Sequence, residues 1–237
     1  MDYKDLQAGQ TKENFWFKAK NDLIDVLIKK ACGNRRQLKI LNIGAGTGDD
    51  LELLNKYGKN YVIDIDKNAL SVIDNKLCEE KKVANACDLP YDNNFFDVVV
   101  SFDVFEHIND DKKAVGEVYR VLKENGVLIF TVPAFQFLFS SHDKALHHQR
   151  RYNKKNIKKL LYQFNFKIFF WNSLLFLPIA MMRILKRKSK PKVDQMNLPL
   201  WINTMFFYLL KFDNFLIKRG NSMPISLSLV GFGVKRK

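Results

Sequence analysis

Apolar and polar residues follow two different periods along this chain. From 12 to 31 the period is helical, with Phe15, Ala19, Leu23, Val26, Leu27 and Ala31 on one face. Beyond it, short apolar runs alternate with helix-spaced stretches. Leu38–Ile43, Asn60–Asp64, Lys82–Ala86, Phe96–Ser101 and Val127–Val132 read as strands one to five. Asp50–Tyr57, Asn68–Leu77 and Asp110–Leu122 read as helices, the last with acidic residues in its first turn, where the helix dipole favours them. A run such as Val98-Val99-Val100 has no polar face, so both sides of its sheet must be covered. Such strands, alternating with helices, predict a parallel α/β sheet. Lys154–Phe164 then predicts a helix and Phe166–Trp171 a sixth strand. The alternation in Ser226–Val234 predicts a last strand lying antiparallel beside the sixth.

Between those last two strands the pattern breaks. Leu174–Leu185 is almost wholly apolar, Lys186-Arg187-Lys188-Ser189-Lys190-Pro191-Lys192 is basic, and Leu198–Ile217 is rich in Trp, Phe, Tyr and Leu. Neither run suits a spanning helix: the first has about a dozen residues and a proline, Pro178, against the roughly 20 needed. The second contains Lys211 and Asp213. Apolar aromatic stretches flanked by Lys and Arg suit helices lying in a membrane interface. The alternative is a helical cap packed on the domain itself. The dense Phe15-Trp16-Phe17 start of the first helix likewise reads either as core or as a lid over a ligand, which makes Trp16 a candidate substrate contact. The organisation expected is one domain over 1–237, with a helical lid at 1–37 and an apolar and basic insert at 174–224.

Charge sharpens this division. Residues 1–150 carry 21 Lys and Arg against 23 Asp and Glu, whereas 151–237 carry 18 against only Asp194 and Asp213. The +14 net charge of the 237 residues therefore belongs to the C-terminal third, and points to a polyanionic partner, nucleic acid or an anionic membrane face. Cys32, Cys78 and Cys87 are odd in number and widely spaced, which implies a reducing compartment without a disulfide framework. The polar start, Met1-Asp2-Tyr3-Lys4-Asp5, does not read as a signal peptide. A cytoplasmic protein, peripheral on the inner face of the membrane, is the expectation.

The candidate chemistry lies at the strand ends. Strand one runs into Gly44-Ala45-Gly46-Thr47-Gly48 and then a helix, the usual nucleoside cradle of a doubly wound sheet. The Gly-x-Gly-x-Gly spacing differs from the dinucleotide pattern, and no Lys-Ser/Thr pair marks a phosphate loop. Asp64 ends the neighbouring strand, where a carboxylate can accept hydrogen bonds from both hydroxyls of a ribose. Asp88 with Leu89, past strand three, can read an adenine: the carboxylate accepts from the amine while apolar neighbours cover the ring.

Taken together, these segments resemble the class I S-adenosylmethionine-dependent methyltransferases of the small-molecule type 11/12 kind. The matching stretches are Ile40–Gly48, Val62-Ile63-Asp64-Ile65-Asp66, Ala86-Cys87-Asp88-Leu89-Pro90-Tyr91, and Phe96–Ile108 with its Ser101-Phe102 and Glu106-His107. Arg120–Leu128 is similar to the family's turn into strand five, with Glu124-Asn125-Gly126 where Pro-Gly is usual. The resemblance covers about 38–172 well and the last strand more loosely. It implies S-adenosylmethionine as cofactor, with Gly44, Ala45, Gly46 and Gly48 around its methionine part. Asp64 would bind the ribose, Ile65 the adenine, Asp88 and Leu89 the adenine edge, and Ser101 and Phe102 would lie beside the sulfonium. It also implies a Rossmann-like seven-stranded sheet of order 3-2-1-4-5-7-6 with strand seven antiparallel.

Phe15–Lys20 and His142–Tyr152 look like a narrower, largely uncharacterised methyltransferase subgroup that often ends in membrane-associated segments. In an in-line displacement the protein must align the groups and, for an oxygen acceptor, remove a proton. Histidine is the natural base. His107 and His148 are the catalytic candidates, with Asp143 to orient one of them. His142, Arg150, Arg151 and Tyr152 are candidate substrate contacts. No metal is expected; a set made of Glu106, His107 and Asp110 is not favoured, because a loop can place them in many ways. The function expected is methyl transfer to a small-molecule or lipid-type acceptor. A nucleic-acid methyltransferase is the alternative raised by the basic tail, but Ser101-Phe102-Asp103-Val104 stands where base-methylating enzymes carry Asn/Asp-Pro-Pro-Tyr/Phe. Nucleic acid is therefore not the expected partner. A non-catalytic cofactor-binding relative is the third reading.

Overall fold

The computed structural model describes residues 14–192 and 198–236. The start of the first predicted helix, the polar N-terminus and Asp194 lie outside the described residues. Helix α1 (Phe15–Cys32) begins where the Asn14 side chain accepts the Trp16 N–H at 2.9 Å. Strand β1 (Leu38–Ile43), helix α2 (Leu51–Leu54), strand β2 (Gly58–Asp64), helix α3 (Lys67–Ser71) and strand β3 (Glu80–Val83) follow. Strand β4 (Phe96–Phe102), helix α4 (Asp111–Val121) and strand β5 (Leu122–Pro133) complete the parallel part. Then come α5 (Ser141–Ala145), α6 (Lys154–Leu160), β6 (Phe164–Trp171), α7 (Phe176–Leu185), α8 (Leu200–Lys218) and β7 (Ser228–Lys235).

The seven strands form one sheet of order β3-β2-β1-β4-β5-β7-β6. β7 runs antiparallel between β5 and β6, with Ile129 opposite Phe232 and Ile168 opposite Gly231. This is the order expected, and the pleat explains how it is covered. Ile40, Val98, Val100 and Val230 face α1 and α8, while Leu41, Val99, Leu128 and Leu229 face α4 and α6.

Several helices are shorter than their periodicity predicts. α2 is a single turn, because the chain must return to β2 by Gly58, and the buried Asn60 amide donates to the Leu51 carbonyl at 3.2 Å. The helix expected over 68–77 breaks after Ser71, where Asp74 accepts the Lys76 N–H and starts a separate 3-10 turn. β5 starts early: the expected turn at 123–126 is a bulged stretch of strand, with Leu122 paired to Phe96.

The insert forms two helices. Pro178 sits in the first turn of α7, where a missing N–H costs nothing. Phe176 and Ala180 of α7 pack on Leu138 and Leu227. α8 is docked by polar residues as well as by Leu210 and Ile217. The buried Asn214 amide donates to the Ala19 carbonyl at 2.9 Å and accepts the Trp171 indole N–H at 2.8 Å, which ties α8 to α1 and β6. Among the described residues no helix is long and apolar enough to cross a membrane.

Candidate functional site

The C-terminal ends of β1, β2 and β4 meet at one edge. Gly44, Gly46 and Gly48 all have positive φ, between 53° and 74°. At Gly44 the constraint is also steric, since a Cβ would lie 2.6 Å from Val104 Cγ2. The Gly44 N–H donates to the Ile63 carbonyl (2.9 Å), so the turn is pinned to β2. Asp64 accepts the Gly46 N–H through Oδ2 and the Asp66 N–H through Oδ1, both at 2.9 Å. Each oxygen keeps a lone pair for a further donor. Ile65, next to it, is 75% exposed, an apolar face at the strand end. Behind the glycines the Asn42 amide donates to Asp50, whose carboxyl pKa is raised by burial.

The stretch after β3 is clamped from α4. Arg120 donates to the Leu89 carbonyl at 2.9 Å and the Tyr91 carbonyl at 2.7 Å, and Glu117 accepts the Leu89 N–H at 2.8 Å. Asp88 is exposed and Leu89 is buried, so Leu89 anchors the segment while Asp88 remains open to a ligand.

β4 delivers the densest chemistry. Ser101 is buried and its Oγ lacks a protein hydrogen-bond partner, and Phe102 follows half-buried. Asp103 takes a positive φ of 57° and pairs with Lys20 of α1 at 2.6 Å. Burial alone would raise the Asp103 carboxyl pKa, yet the Lys20 charge and hydrogen bond outweigh that and hold it low. Lys20 also lies 4.6 Å over the Trp16 ring, which places Trp16 beside this edge. Past β4, His107 closes a 3-10 turn, Phe105–His107, whose Glu106 is fully buried with neither carboxylate oxygen hydrogen-bonded. Burial, and then the nearby Asp103 charge, push the Glu106 carboxyl pKa well above the usual carboxylate range.

The segment after β5 folds back onto that turn. The Gln149 N–H donates to the Glu106 carbonyl at 2.7 Å, and the Tyr152 hydroxyl to the Phe105 carbonyl at 3.1 Å. The His107 and His148 rings meet edge to face with centroids 4.6 Å apart. His148 Nδ1 lies 3.0 Å from Asp143 Oδ1. Asp143 is fully buried, accepts the Ser140 N–H and pairs with Arg151 at 2.7 Å and Arg183 at 3.4 Å. Burial opposes its ionisation, but the His148 hydrogen bond and the two guanidinium charges prevail and keep its pKa well below the usual range.

His107, His148 and Asp143 are thus brought together as the sequence predicts, but two expected substrate contacts are corrected. Arg151 is buried and spent on Asp143 and the Ala134 carbonyl. Tyr152 is buried, its hydroxyl donating to Phe105 O and to Asp111. They build the site's frame, because an unpaired charge or hydroxyl in that interior is costly. Arg150 pairs with Asp111 at 2.9 Å, and His142 sits within α5. Asp110 caps α4 through the Lys113 N–H, away from a ligand role. The sequence reading missed the Lys20–Asp103 pair and the position of Glu106; no local pattern encodes the first, and the second was visible only as part of a motif.

The model of a methyltransferase domain matches residues 41–130. A ubiquinone/menaquinone biosynthesis C-methyltransferase of Photorhabdus laumondii is 31% identical over 173 residues, 61% of this chain and 68% of that protein. An uncharacterized protein of Methanocaldococcus jannaschii is 34% identical over 65% of this chain and 66% of its own length. A probable S-adenosylmethionine-dependent methyltransferase of Mycolicibacterium smegmatis is 26% identical over 68% of this chain and 62% of its own. Another Methanocaldococcus jannaschii protein is matched over only 36% of its length, so the chain spans less than two thirds of several of these relatives. The YcgJ protein of Bacillus subtilis superposes with a TM-score of 0.62 over 92% of this chain and 99% of its own at 18% identity, a likeness of fold alone.

Proposed function

Because the chain belongs to the class I S-adenosylmethionine-dependent methyltransferases, we propose that it transfers a methyl group from S-adenosylmethionine to a lipid-like acceptor at an anionic membrane surface. The residues at the strand ends fit the cofactor. Asp64 keeps acceptor capacity for ribose hydroxyls, Ile65 offers an exposed apolar face for adenine, and the buried Ser101 hydroxyl has no protein partner. When bound, the cofactor supplies a methyl carbon made electrophilic by positive sulfur.

The chain's own part is alignment and proton handling. Ionised Asp143 holds the proton of His148 on Nδ1, which leaves the lone pair on Nε2. A nitrogen so oriented can take the proton of an acceptor O–H or N–H. His107, edge to face with that ring, stands where the β4 turn can bring an acceptor alongside.

The observation that carries the membrane reading is the outer face of the insert. Trp201, Met205, Tyr208, Phe212 and Phe215 recur at helical spacing on α8, and all are exposed, Trp201 by 69%. Leu177, Met181, Ile184 and Leu185 are exposed on α7, which runs straight into Lys186-Arg187-Lys188. An apolar stripe of this length is costly in water, and its flanking cations complement anionic headgroups. Arg183, on the same helix, ends at Asp143, linking α7 to the His148 dyad.

Cosedimentation with phosphatidylglycerol-containing vesicles tests this reading. The chain should pellet with them, remain in solution with phosphatidylcholine alone, and lose binding as the Trp201→Glu, Phe212→Glu double variant. A wild-type chain that stays in solution with anionic vesicles refutes the membrane reading. For the transfer itself, lipid extracts incubated with the chain and S-adenosylmethionine should yield a cofactor-dependent product one methyl group heavier.

A further inference from the structure

We propose that Glu106, His107 and His148 bind a divalent first-row transition-metal ion, which in turn receives an oxygen donor of the methyl acceptor. This rests on the methyltransferase reading of the same edge and adds to it a metal and an acceptor class; in the metal-bound chain His148 Nε2 is a ligand, and the ion takes over the activation of the acceptor that the free imidazole would otherwise perform as a base.

The first observation is Glu106. Its side chain is 0% exposed, and neither carboxylate oxygen has a hydrogen-bond partner. Buried polar groups almost always have partners. The cations whose charge reaches Glu106 are committed elsewhere, Lys20 to Asp103 at 2.6 Å and Arg151 to Asp143 at 2.7 Å. Such a carboxylate is satisfied either by a proton or by a bound cation.

The second observation is the set of nitrogen ligands beside it. One ligand atom each from Glu106, His107 and His148 lie within 4.8 Å of one another. Metal bonds near 2.1 Å need donors roughly 3 Å apart, a closure that side-chain rotation can supply. His148 is already oriented for it: Asp143 lies 3.0 Å from Nδ1, and because an ionised carboxylate can only accept there, a neutral ring presents its lone pair at Nε2. A carboxylate behind a ligating histidine is the usual outer support of a metal site.

The third observation is rigidity. The turn that carries Glu106 and His107 is joined to the His148 segment by the Gln149 N–H on the Glu106 carbonyl (2.7 Å) and the Tyr152 hydroxyl on the Phe105 carbonyl (3.1 Å). The three ligands therefore come from two segments that cannot drift apart.

Two imidazoles and one carboxylate favour Mn, Fe, Co or Zn over Mg or Ca, and such a triad leaves coordination positions open. An ion there lowers the pKa of a hydroxyl bound at an open position. The proton leaves to solvent water and the oxygen is presented as its anion. A hydroxyl or phenol acceptor is the class this chemistry serves.

The test is Co2+ titration of the untagged, chelator-treated chain, followed by its visible absorption, with calorimetric titration of S-adenosylmethionine on the same samples. One equivalent of Co2+ should bind. Glu106→Gln and His148→Ala should abolish binding, and Asp143→Asn should weaken it about 10–100-fold. Cofactor heat in Glu106→Gln shows that the variant is folded. Cofactor heat without Co2+ binding in the wild type, or Co2+ binding retained in both ligand variants, overturns the metal site and leaves the methyltransferase reading intact. Co2+ binding without cofactor heat does the reverse.

Discussion

Gly44→Ala probes the cradle on which the whole edge depends. Two costs can be worked from the structure. The backbone there has φ of +66°, a left-handed conformation that costs an alanine about 1–2 kcal/mol. The new Cβ would also lie 2.6 Å and 3.0 Å from the two Val104 methyls, an overpacking worth about 1–3 kcal/mol. The sum, about 2–5 kcal/mol, is a large share of the roughly 5–15 kcal/mol that holds a domain together. Val104→Ala removes both offending methyls and alone should cost up to about 1.6 kcal/mol of lost burial. In the double variant the steric part disappears and the backbone part stays. Its cost should therefore fall short of the sum of the single variants by about 1–3 kcal/mol. Urea unfolding of the four proteins, compared at constant slope, measures this coupling. Additivity within about 0.5 kcal/mol, or a Gly44→Ala protein as stable as the wild type, would refute the reasoning.

Asp143→Asn should lower stability by about 3–5 kcal/mol, because it leaves the Arg151 guanidinium buried without its counter-charge; thermal melting reads this directly. Arg120→Met should weaken S-adenosylmethionine binding about tenfold by calorimetry, roughly 1.4 kcal/mol, since the guanidinium holds the Leu89 and Tyr91 carbonyls of the segment that the proposed site sets beside the adenine; an unchanged affinity means that the segment is held without it. Asp97 gives a pH signature. Burial alone would raise its pKa, but the Lys123 hydrogen bond, the Lys39 N–H and the Arg35 charge hold it below the usual range. Its contribution is therefore complete above the unfolded carboxylate value of about 4 and is lost as pH falls through the folded value. Asp97→Asn should cost about 1.5–3 kcal/mol at pH 7, with the gap to wild type closing in acid; a gap independent of pH contradicts the assignment.

The sequence by itself determined the succession of strands, their alternation with helices and the strand edge at which a cofactor is expected. These follow from local periodicity: a fully apolar run such as Val98-Val99-Val100 must be covered on both faces, and a glycine turn after a strand can be followed in only a few ways. The sheet order 3-2-1-4-5-7-6 came from family resemblance, and the structure bears it out. Helix lengths were overread at α2 and α3, because the return path to the next strand, not the periodicity, ends those helices. Only the tertiary structure decided how the charged groups around β4 divide their partners. Lys20 reaches Asp103 across 83 positions, and Arg151 turns inward to Asp143 although the sequence marks it as a candidate substrate contact. Glu106 is left unpaired beside two histidines. The cap reading of the insert matches the packing of α8, which buries Leu210, Asp213, Asn214 and Ile217 against the domain and turns Trp201, Met205 and Phe212 outward. Periodicity says that a helix has two faces. Which face meets the protein, and which charge meets which, depends on loop paths that bring distant segments together at a strand end, and no local pattern contains them.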